Sequence, residues 1–164
     1  MKYISRSIDK TLEEWKESTT HKPLLLRGAR QVGKSSAVRH LGTQFKYFAE
    51  VNFESAKSIA TFFKGDLDVK LISSKISNYI QVPIIPGQTL LFLDEIQACP
   101  EAIMALRFFK EDYPELHVIA AGSLLEFALQ SLPTFGVGRI HSVFMYPMTF
   151  DEFLVAMNME GLLA

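Results

Sequence analysis

The residues best suited to chemistry lie at positions 28–35, which follow the pattern G-x-x-x-x-G-K-S. A short apolar run precedes this pattern and a helix-forming stretch follows it, which is the context of a phosphate-binding loop. Glycines let backbone N–H groups converge on phosphate oxygens, and the following helix adds its N-terminal dipole. We expect the Lys34 amine to contact the β- and γ-phosphates of a nucleotide and the Ser35 hydroxyl to coordinate Mg²⁺. The predicted nucleotide-binding residues are Gly28, Ala29, Arg30, Gln31, Val32, Gly33, Lys34, Ser35 and Ser36.

Two carboxylates follow a second apolar run. Residues 90–93 are Leu, Leu, Phe and Leu, and Asp94 and Glu95 come directly after them. In this Walker B pattern the aspartate at the strand end holds Mg²⁺, and the glutamate polarises a water molecule for attack on the γ-phosphate. We therefore expect Asp94 to bind the metal together with Ser35 and Glu95 to be the catalytic base. A glutamate directly after the aspartate favours hydrolysis over transfer to a small acceptor.

Two further polar residues are candidates for catalytic roles at the γ-phosphate. Ser123 ends a predicted strand, where its hydroxyl would sense the phosphate or orient the attacking water. Ser123 and Glu126 also have the spacing of a helix capping box, and both interpretations stay open. Arg139 lies in a glycine-containing loop before the last predicted strand. An arginine there stabilises transition-state charge, within the chain or across a subunit contact, unless it is a solvated loop residue.

Composition restricts the class of protein. The chain has 164 residues, 48% of them hydrophobic, which favours one globular domain with its own core. Its 17 basic and 18 acidic residues leave a net charge of −1, so charge does not indicate nucleic-acid binding. No apolar stretch approaches the roughly 20 residues of a membrane-spanning helix, and the first ten residues lack the apolar core of a signal peptide. We expect a soluble, cytoplasmic protein without a membrane partner.

Hydrophobic periodicity predicts strands that alternate with helices, which implies a parallel sheet with helices on both faces. The predicted fold class is α/β, a three-layer P-loop domain with a five-stranded parallel sheet in the order 5-1-4-3-2. Ligands of such sheets bind outside the carboxyl ends of the strands. The predicted strands are 24–27, 45–53, 89–93, 116–121 and 140–145. The predicted helices are 7–18, 36–41, 69–79 and 150–157, with two more that begin at 100 and 123.

The order of the motifs resembles that of a known family. RGARQVGKS at 27–35, LDEIQ at 93–97, AGS at 121–123 and GR at 138–139 are followed by YPMTFDEFL at 146–154. This set is similar to the prokaryotic AAA-type ATPases whose ATPase domain precedes a C-terminal domain of unknown function. The resemblance implies binding of ATP and Mg²⁺ and hydrolysis of ATP. It also implies that residues 1–164 are one ATPase core that ends before a lid and a C-terminal domain.

Three functions remain open at this point. The first is Mg²⁺-dependent ATP hydrolysis, with self-association expected in a longer protein and the protein partner unidentified. The second is an ATP-dependent conformational switch with little hydrolysis. The third is a small-molecule phosphotransferase, which is disfavoured because Glu95 follows Asp94 directly. ATP turnover measured with and without acceptor molecules would separate the three.

Overall fold

The computed structural model describes residues 2–132 and 138–163. Within them, five parallel strands form one sheet in the order β2-β3-β4-β1-β5. This is the predicted order counted from the other edge, so the predicted three-layer α/β P-loop fold is confirmed. The strands are β1 (Leu24–Arg27), β2 (Tyr47–Asn52), β3 (Thr89–Asp94), β4 (His117–Gly122) and β5 (His141–Phe144). The helices are α1 (Ile8–Glu17), α2 (Lys34–Gly42), α3 (Val69–Ile80), α4 (Pro100–Asp112), α5 (Leu125–Gln130) and α6 (Phe150–Ala156).

The central strands are buried on both faces because helices cover the sheet from both sides. On β3, Leu91 and Leu93 pack with residues of α3 and α4, whereas Leu90 and Phe92 pack with residues of α1 and α2. Successive side chains of a strand point to opposite faces, so one apolar run supplies both cores. The sheet therefore presents the carboxyl ends of β1, β3 and β4 side by side, with the loops that follow them at one edge.

The start of α5 differs from the sequence-based expectation. Of the two interpretations left open for Ser123, the capping box with Glu126 is wrong, because α5 begins at Leu125 and has no side-chain cap. Leu124 precedes the helix in a left-handed conformation with φ of 54°, and Glu126 accepts a hydrogen bond of 2.6 Å from Arg27 instead. The turn at Leu124 thus separates Ser123 from the helix and leaves its hydroxyl available for another partner.

The capping box that does form lies at α6. Thr149 accepts a hydrogen bond from the backbone N–H of Glu152, and the Glu152 carboxylate accepts one from the N–H of Thr149. These paired bonds satisfy two backbone donors that the first turn of a helix leaves free. Across residues 2–132 and 138–163, no helix is both long enough and apolar enough to cross a membrane.

Candidate functional site

The loop between β1 and α2 has backbone angles that require glycine. Gly28 has φ of +150° and Gly33 has φ of +102°, and Gln31 also lies in the left-handed region with φ of 62°. A Cβ atom on Gly28 would lie only 2.4 Å from the backbone oxygen of Met145, which follows β5. Glycine at position 28 is therefore needed for its backbone angle and for the close approach of the β5 end.

Lys34 is the first residue of α2, and its side chain turns back over this loop. Lys34 is 8% exposed, and its Nζ donates hydrogen bonds to the carbonyl oxygens of Gly28 at 2.8 Å and Ala29 at 2.6 Å. Burial lowers the pKa of Lys34, while the carboxylates of Glu95 and Asp94 act in the opposite direction. The amine is thus held inside the loop, close to two carboxylates from another part of the chain.

The other predicted loop residues lie in different surroundings. Val32 is buried in the core beside α1 and α2, whereas Ala29, Gln31 and Ser36 are exposed. The guanidinium of Arg30 lies 3.8 Å from the carboxylate of Glu54, and 69% of its side chain is exposed. Val32 therefore anchors the loop, while the other residues are open to a ligand.

A hydrogen bond joins the glycine loop to the end of β3. The Ser35 hydroxyl donates to Oδ2 of Asp94 at 2.7 Å, although the two residues are 59 positions apart in the sequence. Oδ1 of Asp94 accepts the backbone N–H of Glu95 at 2.9 Å. Burial raises the pKa of Asp94, and the bond from Ser35 opposes that shift. A hydroxyl and a carboxylate are the oxygen donors that Mg²⁺ prefers, so the residues at this point fit a magnesium ion.

Glu95 follows β3 at a sharp change of backbone direction. It adopts the left-handed region with φ of 51° and ψ of 46°, which costs a non-glycine residue about 1–2 kcal/mol. The next turn is a 3₁₀ helix, Ile96–Ala98, and Nε2 of Gln97 in that turn donates to Oε2 of Glu95 at 2.6 Å. The direction of the Glu95 carboxylate is therefore set by its own backbone and by one neighbouring amide.

Ser123 lies next to the glycine loop. The register of β1 and β4 pairs Arg27 with Gly122, so the residues that follow them, Gly28 and Ser123, emerge side by side. Ser123 is 3% exposed, and its Oγ has no hydrogen-bond partner among the described residues. A buried hydroxyl without a hydrogen-bond partner costs about 1–3 kcal/mol. Such a buried, unpartnered group is typical of a site where a ligand supplies the partner.

A cavity of about 560 Å³ opens beside the glycine loop. Its walls come from the N-terminal segment, the loop and α2, and they include Tyr3, Gln31 and His40. The rings of Tyr3 and His40 stack with centroids 3.9 Å apart and an angle of 11° between their planes. The volume lies in the range of small-molecule sites, and the aromatic wall suits a planar ring.

Comparison with known proteins places this geometry in a family. The family model described as AAA domain matches residues 20–154, which include the glycine loop, the acid pair, Ser123 and Arg139. The chain belongs to the AAA domain family. It is therefore a nucleotide-binding P-loop domain of the AAA type, as the motifs predicted. No curated protein matches the sequence.

Solved structures share the fold of this AAA domain at low sequence identity. Cdc6p from Pyrobaculum aerophilum superimposes with a TM-score of 0.56 at 14% identity, over 96% of this chain and 51% of that one. The Orc1 protein of Aeropyrum pernix, solved in complex with DNA, gives a TM-score of 0.56 at 15% identity, over 94% of this chain and 47% of that one. The AAA domain thus spans about half the length of each of these proteins.

The structure places Arg139 away from the glycine loop of the AAA domain. Arg139 precedes β5, whose first residue pairs with Leu24 at the amino end of β1. Its Nε lies 2.5 Å from Oε1 of Glu111, at the end of α4. β5 has four residues, and at about 3.3 Å per residue it separates Arg139 from the loop by about 13 Å or more. The predicted role within the same chain is therefore wrong, because Arg139 lies at the opposite edge of the sheet.

Sequence analysis missed Arg6, which links three parts of the AAA domain. Its Nη1 donates to the carbonyl oxygen of Val32 in the glycine loop at 2.7 Å, and Nη2 donates to that of Tyr146 at 2.9 Å. Nε lies 3.2 Å from Glu152 in an ion pair that is largely shielded from solvent. A single arginine in a mixed N-terminal segment carries no local signal, so only the fold reveals this contact.

The contacts of Glu152 give a structural role to the segment YPMTFDEFL at 146–154. Burial alone would raise the pKa of Glu152, but hydrogen bonds from Ser7 and Thr149 and the ion pair with Arg6 lower it to about 2. Oε1 of Glu152 accepts both the backbone N–H of Ser7 at 2.8 Å and its hydroxyl at 2.9 Å. Glu152 thereby ties the start of α1 and the start of α6 to each other beside the glycine loop.

Proposed function

We propose that this AAA domain binds ATP with Mg²⁺ and hydrolyses it. The observation that carries the proposal is the hydrogen bond of 2.7 Å between Ser35 and Asp94, which brings the glycine loop to the acid pair. In this assignment Lys34 contacts the β- and γ-phosphates, and Ser35 and Asp94 hold Mg²⁺. The loop residues that face the phosphates and sugar are Gly28, Ala29, Arg30, Gln31, Gly33 and Ser36, with Val32 as their anchor.

Hydrolysis requires a base and a site for the charge that develops on the phosphate oxygens. Glu95 takes a proton from water, the water oxygen bonds to the γ-phosphorus, and the bond to the bridging oxygen breaks so that ADP leaves with the electron pair. The buried hydroxyl of Ser123 donates to the γ-phosphate or to the attacking water. Lys34 exchanges its contacts with the Gly28 and Ala29 carbonyls for phosphate oxygens. Ser35 and Asp94 would hold Mg²⁺, which would supply positive charge to stabilise the phosphate oxygens in the transition state.

The cavity beside the loop is the proposed place of the adenine ring and ribose. It continues from Gly33 toward Tyr3 and His40, and its aromatic wall supports a stacked purine. Arg139 lies at the amino ends of the strands, whereas the glycine loop lies at their carboxyl ends. Since the Arg139 side chain is half exposed, we propose that it acts on the nucleotide of a neighbouring copy. This role requires self-association, which we propose together with it.

A second function is favoured by the contacts of Arg6. Its guanidinium joins the glycine loop to the residues before α6, so a ligand that moves the loop would also move this segment. An ATP-dependent conformational switch with little hydrolysis would use that connection. The two functions differ in turnover alone, because both require ATP to bind at the same loop.

The test is calorimetric titration with ATP and Mg²⁺ together with measurement of phosphate release. Lys34→Ala is expected to weaken ATP binding by about 2–3 kcal/mol, because it removes a charge-assisted contact in a preformed site. Glu95→Gln is expected to keep ATP affinity and to lower turnover at least about 100-fold, because it removes the base and keeps the side-chain shape. Unchanged affinity in a folded Lys34→Ala chain would contradict the binding site. Binding without turnover in the unsubstituted chain would favour the switch.

A further inference from the structure

Gln97 joins the acid pair to the end of the neighbouring strand β4. Its Nε2 donates to Oε2 of Glu95 at 2.6 Å. Its Oε1 is buried and has no hydrogen-bond partner among the described residues. This oxygen lies against Gly122, the last residue of β4. The amide is thus enclosed between the carboxylate of Glu95 and the backbone of β4.

Gly122 provides the space that the Gln97 amide occupies. A Cβ atom at position 122 would lie 2.5 Å from Oε1 of Gln97, closer than side-chain carbons approach a neighbouring atom. Its contacts with the Leu125 side chain would be milder, at 3.1 and 3.2 Å. Gly122 does not have a left-handed backbone angle, in contrast to Gly33. Glycine at position 122 therefore leaves room for the Gln97 amide in its observed position, and a larger residue would have to displace that side chain.

We propose that Gln97 is a positioning residue for Glu95 and that Gly122 keeps the room in which it acts. The proposal rests on the proposed function, since it takes Glu95 as the base. The hydrogen bond engages Oε2, which assigns proton uptake to Oε1 of the same carboxylate. Glu95 itself has a strained left-handed backbone, and the hydrogen bond from Gln97 is a second restraint that keeps its carboxylate close to the attacking water. In this proposal Gln97 acts through Glu95 and not on the water or the nucleotide directly.

The first experiment replaces the amide and keeps the side-chain length. In Gln97→Met, we expect turnover to fall about 10- to 100-fold, the effect of one hydrogen bond to a charged group. The affinity for a non-hydrolysable ATP analogue with Mg²⁺, measured by calorimetry, is expected to stay within about twofold, because Gln97 is proposed to act through Glu95, which serves turnover and not binding. Affinity for ADP, Mg²⁺ and aluminium fluoride, which mimics the transition state, is expected to fall with turnover. A merely structural role would lower all three quantities together with the unfolding midpoint.

The second experiment tests Gly122 with a double-mutant cycle. Gly122→Ala is expected to displace the Gln97 side chain and to lower turnover as Gln97→Met does. In Gln97→Ala the obstructed side chain is absent, so adding Gly122→Ala is expected to cause no further loss. If the double variant loses turnover by the product of the two single losses, the proposed role of Gly122 is overturned. Full turnover in a folded Gln97→Met chain would overturn the role of Gln97 and leave the proposed function intact. An unsubstituted chain that releases no phosphate would overturn both the proposed hydrolysis and this inference.

Discussion

Gly28→Ala should destabilise the domain for two separable reasons. The backbone angle of +150° belongs to a region that only glycine adopts readily, and forcing alanine into such a region costs about 1–3 kcal/mol. The new Cβ atom would also lie 2.4 Å from the backbone oxygen of Met145, which cannot rotate away as a side chain can. Overpacking of this kind costs about 1–3 kcal/mol more. We therefore expect the free energy of unfolding to fall by about 2–6 kcal/mol, a large part of what a domain possesses.

Two other glycines separate these terms. Gly65 has φ of +81°, and a methyl group added there would meet no atom within 4 Å, so Gly65→Ala should lose only about 1–2 kcal/mol, the cost of the angle. Gly161 has neither a left-handed angle nor a close neighbour, so Gly161→Ala should be neutral or gain up to about 1 kcal/mol.

The assay is urea unfolding followed by the fluorescence of Trp15, the single tryptophan, which is 4% exposed in the core. Unfolding slopes that stay equal among the variants would confirm that the midpoints report stability. Equal losses in Gly28→Ala and Gly65→Ala would refute the reasoning, because the glycine loop would then not press against Met145. Nucleotide affinity should fall in Gly28→Ala and stay unchanged in the other two.

Two predictions concern ion pairs. If Arg139 acts on a neighbouring copy, turnover per chain should rise with protein concentration, and Arg139→Ala should abolish that rise. Glu111→Ala removes only the ion-pair partner of Arg139 and should keep the rise. Turnover per chain that is equal at all concentrations would contradict a role of Arg139 in catalysis. The pKa of Glu152 is lowered from 4.5 to about 2, so its charge stabilises the folded state above pH 4.5 and that contribution is lost as the pH falls toward 2. Glu152→Gln should therefore differ from the unsubstituted chain most above about pH 5 and least near pH 2, whereas Glu14→Gln, in an exposed pair, should differ little at any pH. A constant difference for Glu152→Gln from pH 7 to pH 2 would contradict the ion pair.

The two candidate capping boxes show how far local spacing predicts the start of a helix. Ser123 and Glu126 have the required spacing, but Leu124 adopts a left-handed turn and Glu126 pairs with Arg27 across the sheet. Thr149 and Glu152 have the same spacing and do form the box, although Glu152 is shared with Ser7 and Arg6. Spacing permits a cap, but long-range partners decide whether the side chains use it.

The prediction that Arg139 acts within its own chain was wrong for a topological reason. The sequence shows that Arg139 lies beside glycines. Whether it lies at the amino or the carboxyl end of the strands depends on the direction of β5. Because β5 runs parallel to β1, a residue before β5 lies at the amino end, while the glycine loop follows the carboxyl end of β1. Whether a residue can reach a ligand at the carboxyl ends of the strands therefore depends on whether it precedes or follows its strand, more than on the residue types beside it.

By itself, the sequence determined the elements and the motifs, because both depend on short-range order. Apolar runs of strand length and the glycines at 28 and 33 specify strand β1, the loop and helix α2 with no information from elsewhere. The two motifs also led to the expectation that Ser35 and Asp94 lie together, whereas only the tertiary structure decided that Gln97 meets Gly122 and that Arg6 meets Val32. Those contacts depend on the packing of strands and helices far apart in the chain, and no local pattern of residue types encodes such distances.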